Sequence, residues 1–238
     1  MKICCIMIKE GVSMIDIKNN KIAHRGIFDN KTIPENSLKA FQKAINLGFA
    51  IELDVQLTKD NTLIVFHDNN LKRMTGIDKA IHKTNYKEIQ KYTLLDTKEK
   101  IPTLKEVLEL VQEKVLLDIE VKNTKNISKI CNILVEELGN YQNMVIQSFN
   151  PRIVRYLKKH YPFLIVGYII NKGNYLIFLA NRFLIRYIKA DFLAIHKKLL
   201  PTSRFQKLKR KYPIFIWTIK KNEQCPEEDC ILICNDLI

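Results

Sequence analysis

No apolar run in this sequence approaches the roughly 18 residues that a membrane-spanning helix needs. The start of the chain is apolar only from Ile3 to Ile8 before Lys9 and Glu10 interrupt it, which is too short for the core of a secretory signal. Cysteine is present at Cys4, Cys5, Cys131, Cys225, Cys230 and Cys234. None of these forms a C-x-x-C pair and no histidine cluster accompanies them, so the spacing of a zinc site is missing. Cys131 and Cys234 fall at core-like positions, where a thiol acts as a small hydrophobe. No Pro/Gly/Ser-rich linker, low-complexity tract or solenoid-length repeat divides the chain. These absences predict a soluble, cytoplasmic protein with reduced thiols, built as one domain over residues 1–238 with 1–20 as an N-terminal extension.

What is abundant is positive charge: 39 Lys and Arg against 25 Asp and Glu leave a net +14. Such a field favours the approach of anionic partners. The lysines are spread along the whole chain, so the excess reads as a solvated basic surface rather than a stripe for a specific nucleic acid. One segment stands apart. Arg182, Arg186 and Lys189 fall at i, i+4 and i+7 among Phe178, Leu179, Phe183 and Leu184. That pattern allows peripheral contact with a lipid surface, but is the more ordinary mark of an outer helix whose charged stripe faces water.

Strand-like and helix-like segments alternate, the signature of a parallel sheet with crossover helices. Core strands are expected at 21–23, 50–54, 115–120, 144–148, 164–168, 191–195, 214–218 and 231–234, with helices at 37–47, 104–112, 127–138, 152–159 and 203–211. Eight such strands in 238 residues predict an α/β fold of the (β/α)8 TIM-barrel type, which runs about 250 residues. The chain beyond 234 leaves little room for a last outer helix. A ninth apolar segment, 63–67, follows its predecessor after the short stretch 58–62. A parallel crossover needs a dozen or more residues, so this segment is expected to fold back antiparallel, a hairpin arm bringing His67 to the barrel mouth.

Strand side chains alternate faces, so Glu52 and Asp54 point the same way on one strand, and the same rule aligns Asp118, Glu120 and Lys122 on the next. Barrels place their chemistry at the C-terminal ends of the strands. Carboxylates converging there repel unless a cation joins them, and all-oxygen ligands select a hard ion such as Mg²⁺ or Ca²⁺. The competing reading pairs each acid with one of the many lysines. His24 and His67 would flank the acids, and histidine, which titrates near neutrality, can both take and give a proton there. Arg25 offers a planar fork for phosphate oxygens and Lys122 a point charge. Gly26 permits a tight turn or close approach, Asn36 reads as a helix cap, and Glu35 as a brace for Arg25. His196 ends a predicted strand and can face the mouth, whereas His82 and His160 read as exposed.

Taken together, His24-Arg25-Gly26, Pro34-Glu35-Asn36-Ser37, Glu52-Leu53-Asp54, His67-Asp68, Leu71 with Arg73 and Thr75-Gly76, Ile119-Glu120-Val121-Lys122, Gln147-Ser148-Phe149 and Trp217-Thr218 resemble the glycerophosphodiester phosphodiesterases. The resemblance runs from about Lys21 to the C-terminus. It implies a (β/α) barrel that hydrolyses glycerophosphodiesters to glycerol 3-phosphate and an alcohol. It implies His24 and His67 as acid and base, and Glu52, Asp54 and Glu120 as ligands of a divalent metal. Arg25 and Lys122 would hold phosphate, with Phe149, Trp217 and His196 lining the mouth. The chain departs from the family pattern at Ile219-Lys220, at Glu228-Asp229-Cys230 and at Asn235. Residues 76–101 leave no room for the large inserted cap of some relatives, so an open mouth tolerant of varied leaving groups is expected. Rival readings are a lysophospholipase D-like phosphodiesterase working at a membrane, and a non-catalytic barrel that binds anions or lipid.

Overall fold

The computed structural model describes residues 21–171, 173, 184, 187–220, 223, 230–235 and 237. Its elements run β1 (Lys21–His24), α1 (Leu38–Asn46), β2 (Ala50–Leu57), β3 (Leu63–Val65), α2 (Lys72–Thr75), α3 (Tyr86–Ile89), α4 (Leu104–Val111), β4 (Leu117–Val121) and α5 (Ile127–Leu138). Then follow β5 (Met144–Ser148), α6 (Pro151–His160), β6 (Val166–Ile170), β7 (Phe192–His196), α7 (Ser203–Lys209), β8 (Ile214–Ile219) and β9 (Ile231–Cys234). Eight strands close in the order β1-β9-β8-β7-β6-β5-β4-β2, and pairing of β1 with β2 completes the ring. Every pair in that ring is parallel. The (β/α)8 barrel expected from the sequence is therefore the fold. No helix follows β9 among the described residues.

The strands are short aliphatic runs buried on both faces, as sheets sandwiched between a filled interior and outer helices must be. Outward residues such as Ile51, Leu53 and Val55 pack with the helices. Helix α5 buries Ile130, Cys131, Leu134 and Leu138, and α6 buries Ile153, Val154 and Leu157. This i, i+1, i+4 spacing makes one apolar stripe of each helix, and each buried aliphatic side chain contributes about 1.5–3 kcal/mol. Inward residues form a separate core of Ile22, Val145, Phe192, Phe215 and Ile233 in the lower barrel. Gly167 belongs to this interior: a Cβ there would lie 2.3 Å from the Phe192 ring, which itself stacks on Phe215 at 4.3 Å.

Helix starts follow capping chemistry. Thr103 and Glu106 form a reciprocal capping box on α4, the pairing that satisfies two orphan N–H groups at once. Helix α1 corrects one expectation: its cap is Ser37, which accepts from the Ala40 N–H, not Asn36. Asn36 instead has a left-handed backbone, φ 55°, and its side chain turns inward. Gly26 answers both needs foreseen for it. Its φ is 81° and a Cβ would approach Ala40 to 2.9 Å.

Strand β3 runs antiparallel to the end of β2, pairing Val55 with Val65 and Leu57 with Leu63. The ninth segment is thus a hairpin arm, although regular pairing stops at Val65 and His67 lies just past it. The arm continues into a small satellite core of Ile64, Phe66, Leu71, Met74, Ile81 and Ile89. The basic segment carrying Arg182 and Arg186 lies outside the described residues, as do residues 1–20. Lys189 is described, exposed and outside any helix, with φ 53°.

Candidate active site

Side-chain parity builds the mouth. In the parallel register His24 lies beside Glu52, Glu52 beside Asp118, and Asp54 beside Glu120. Every one of these strands therefore presents its inward polar residue at the C-terminal rim, above the apolar interior. Oxygens of Glu52, Asp54 and Glu120 lie within 4.8 Å of one another, and all three residues are buried. An oxygen-only cluster this tight has the donor set of a hard divalent cation.

Cations already interleave with these acids. Lys122 Nζ lies 3.0 Å from Asp54 Oδ1 and 2.8 Å from Glu120 Oε1. Arg25, at φ 58°, donates its backbone N–H to Glu52 Oε2 at 3.0 Å. Its Nε lies 3.5 Å from Asp54 Oδ2, and its Nη1 donates to Glu35 Oε1 at 2.8 Å, the brace anticipated from sequence. His24 Nε2 is 3.8 Å from Glu52 Oε2. His67 Nδ1 lies 2.7 Å from Asp68 Oδ1, so the tautomer that donates Nδ1–H to Asp68 leaves a lone pair on Nε2.

The electrostatics separate the acids. Burial and the neighbouring Asp54 and Glu120 charges push Glu52 well above the usual carboxylate range. Burial also raises Glu120, with Lys122 opposing and Asp54 reinforcing the shift. Burial opposes ionisation of Asp54 too, but the Lys122 and Arg25 charges outweigh it and hold this carboxyl low. His24 is lowered to about 4 by burial and by the adjacent Arg25. His67 is lowered chiefly by burial, against the pull of Asp54. Three acids this close resist ionising together, and a bound divalent charge removes that resistance.

Beneath this layer Gln147 Nε2 donates to Asp118 Oδ2 at 2.8 Å. Asp118 shares the face of Glu120 yet sits one layer deeper, where burial and the charges of Glu120 and Asp54 keep it well above the normal range. On the opposite wall, Phe149 meets Trp217 edge-on at 5.7 Å and His196 meets it at 4.6 Å. The three rings thus form one aromatic cluster, with Phe149 and Trp217 packed against the inward core. A strand irregularity between Trp217 and Ile219, with Thr218 at φ 70°, sets the end of this wall, as bulges beside functional sites do. His82 and His160 are exposed, as expected.

Four contributors escaped the sequence reading. Asn36 Nδ2 donates to Asp54 Oδ2 at 2.9 Å; the signal was an Asn, a residue tolerant of the left-handed region, directly before a better cap. Asp68 and Arg73 were seen as motif letters without roles. Asn235 lies beside His24 and works against the lowering of its pKa.

Acids, imidazoles and cations gathered at the C-terminal rim of a (β/α)8 barrel are the architecture of an enzyme acting on an anionic ester. The chain belongs to the glycerophosphoryl diester phosphodiesterase family, whose profile matches residues 24–232. A glycerophosphodiester phosphodiesterase of Caldanaerobacter subterraneus subsp. tengcongensis is 37% identical over 172 residues, covering 66% of this chain and 69% of that protein. The solved glycerophosphodiester phosphodiesterase of Thermotoga maritima is similar at TM-score 0.73 and 27% identity, over 91% of this chain and 94% of that one. An Oleispira antarctica phosphodiesterase solved with the product sn-glycerol-3-phosphate shares the fold at TM-score 0.74 and 23% identity, over 91% and 92% of the two chains. Among the described residues no helix is long and apolar enough to cross a membrane.

Proposed function

We propose that this protein cleaves glycerophosphodiesters to glycerol 3-phosphate and an alcohol, with Mg²⁺ or Ca²⁺ held by Glu52, Asp54 and Glu120. The observation that carries this reading is the buried cluster of three carboxylates, within 4.8 Å of one another, in a mouth shared with His24 and His67. When bound, such a cation withdraws charge from the phosphoryl oxygens. The chain's own residues do the rest. Arg25 directs its fork to the phosphate, and Lys122 adds a point charge beside it. His24 and His67 exchange protons with the attacking and leaving oxygens, a contribution of typically ~10²–10⁴-fold for each positioned group. Phe149, Trp217 and His196 offer an aromatic wall to the part of the substrate that carries no charge.

Release of glycerol 3-phosphate from glycerophosphocholine, with and without chelator, tests the proposal. Chelator should stop turnover, and restoring Mg²⁺ and Ca²⁺ separately identifies the working ion. His24→Ala and Glu52→Ala should each abolish activity; normal turnover by either variant refutes the assignment. Comparison with the acylated counterpart of the same substrate distinguishes a lysophospholipase D-like preference.

A further inference from the structure

Arg73 sits on the four-residue helix α2 and bonds to two carboxylates, one that supports His67 and one that supports Arg25. Its Nε donates to Asp68 Oδ2 at 2.6 Å and its Nη2 to Asp68 Oδ1 at 3.1 Å. The same guanidinium donates to Glu35 Oε1 at 2.7 Å through Nη2 and to Oε2 at 3.1 Å through Nη1. Asp68 is the partner of the His67 ring, and Glu35 that of the Arg25 guanidinium. An unbroken series of charge-assisted hydrogen bonds therefore runs His67–Asp68–Arg73–Glu35–Arg25.

A lone exposed ion pair contributes little. Here one planar fork makes four bonds to two acids, a geometry that the single ammonium of lysine cannot reproduce. The fork is not adrift, because the neighbouring Leu71 and Met74 are buried in the satellite core. It is 44% exposed and its carboxylate partners are Asp68 and Glu35 rather than Glu52, Asp54 or Glu120, so it acts through its neighbours.

We propose that Arg73 is a positioning residue that sets the His67 ring and the Arg25 guanidinium relative to each other. The proposal rests on the roles assigned above to those two residues. Asp68 orients His67 alone and Glu35 orients Arg25 alone; Arg73 ties the two supports together. Removing the fork frees Asp68 to swing away from Nδ1, so the ring turns and kcat falls. It also loosens Glu35, which then keeps only Asn30 besides Arg25 as a side-chain partner, so Arg25 drifts from the phosphate and KM rises.

The test compares Arg73→Met, Arg73→Lys, Asp68→Asn and Glu35→Gln by kcat, KM and thermal unfolding on glycerophosphocholine. Asp68→Asn should lower kcat with KM kept, and Glu35→Gln should raise KM. Arg73→Met should do both, each by the ~10–100-fold typical of residues that orient a functional group. Arg73→Lys should melt like the wild type yet stay impaired in both constants. Adding Asp68→Asn to Arg73→Met should lower kcat little further. Wild-type kcat and KM in either Arg73 variant, or fully additive losses in the double variant, would overturn the proposal. Should Arg73→Met not fold, Arg73→Lys and the two carboxylate variants decide it. The underlying reading fails separately: wild-type turnover by His67→Ala or Arg25→Ala refutes those roles whatever Arg73 does.

Discussion

Asn36 holds Asp54 by a 2.9 Å hydrogen bond from its side-chain amide, and it adopts a left-handed backbone to reach it, φ 55°. The amide orients one carboxylate of the acidic cluster, in the way that groups behind a metal site orient its ligands. Asn36→Ala and Asn36→Gly should both weaken divalent-cation binding by ~10–100-fold, measured by calorimetry. Asn36→Gly should unfold less readily than Asn36→Ala, by about 1 kcal/mol, because glycine accepts the left-handed region without strain. Wild-type cation affinity in both variants would remove the amide from the site.

Gly167 and Phe192 compete for one volume inside the barrel. Gly167→Ala places a Cβ 2.3 Å from ring atoms, and such overpacking costs about 1–3 kcal/mol. Phe192→Leu combined with it should recover part of the loss. Denaturant unfolding of the four proteins in the cycle reads the coupling, expected at roughly 1 kcal/mol or more for residues in contact. Strict additivity would show that the ring moves aside without cost.

His24 gives the metal-free protein an acid-side weakness. Its pKa is lowered to about 4 from 6.5, so between these values the unfolded chain binds a proton that the folded chain refuses. Stability from this group is therefore lost as pH falls through that window, on the order of 3 kcal/mol across it. Urea unfolding with chelator at pH 7 and pH 4.5 should show His24→Gln losing less stability than the wild type. His67 is lowered too, so it adds the same sign to both proteins and cancels in the comparison. An equal loss in both would show that the folded protein does not hold His24 below its ordinary value.

Cys131 is buried in the stripe of α5, and burial pushes its thiol up to about 12. The thiolate is the reactive form, so alkylation mapped by mass spectrometry should reach Cys131 only on unfolding. Labelling at native rates equal to those of a free thiol would mean that α5 opens locally.

The barrel and most of its rim were legible because side-chain parity is a local property. Glu52 with Asp54, and Glu120 with Lys122, reach the mouth simply by standing two apart on strands. The hairpin was legible from the brevity of 58–62. Other features lie beyond local pattern. Helices α2 and α3 have four residues each, too few to show a helical period. Strand β6 was expected from 164 but begins at Val166: Leu164 and Ile165 are buried and apolar without belonging to it. Asn36 was read as a cap because Asn before a helix usually is one, and here Ser37 took that place. The double grip of Arg73 joins residues 38 apart in the chain, a distance over which sequence spacing carries no signal.

One edge of β2 changes hands. Residues 50–52 of that strand pair with β1 and residues 55–57 pair with β3, and the excursion that begins there returns where Thr103 bridges to Ile64. The stretch between these anchor points hangs on the cylinder without being woven into it. Trimming, lengthening or exchanging its tip would reshape the vestibule while leaving the ring of eight staves untouched, so a new substrate preference could be grafted without refolding the scaffold.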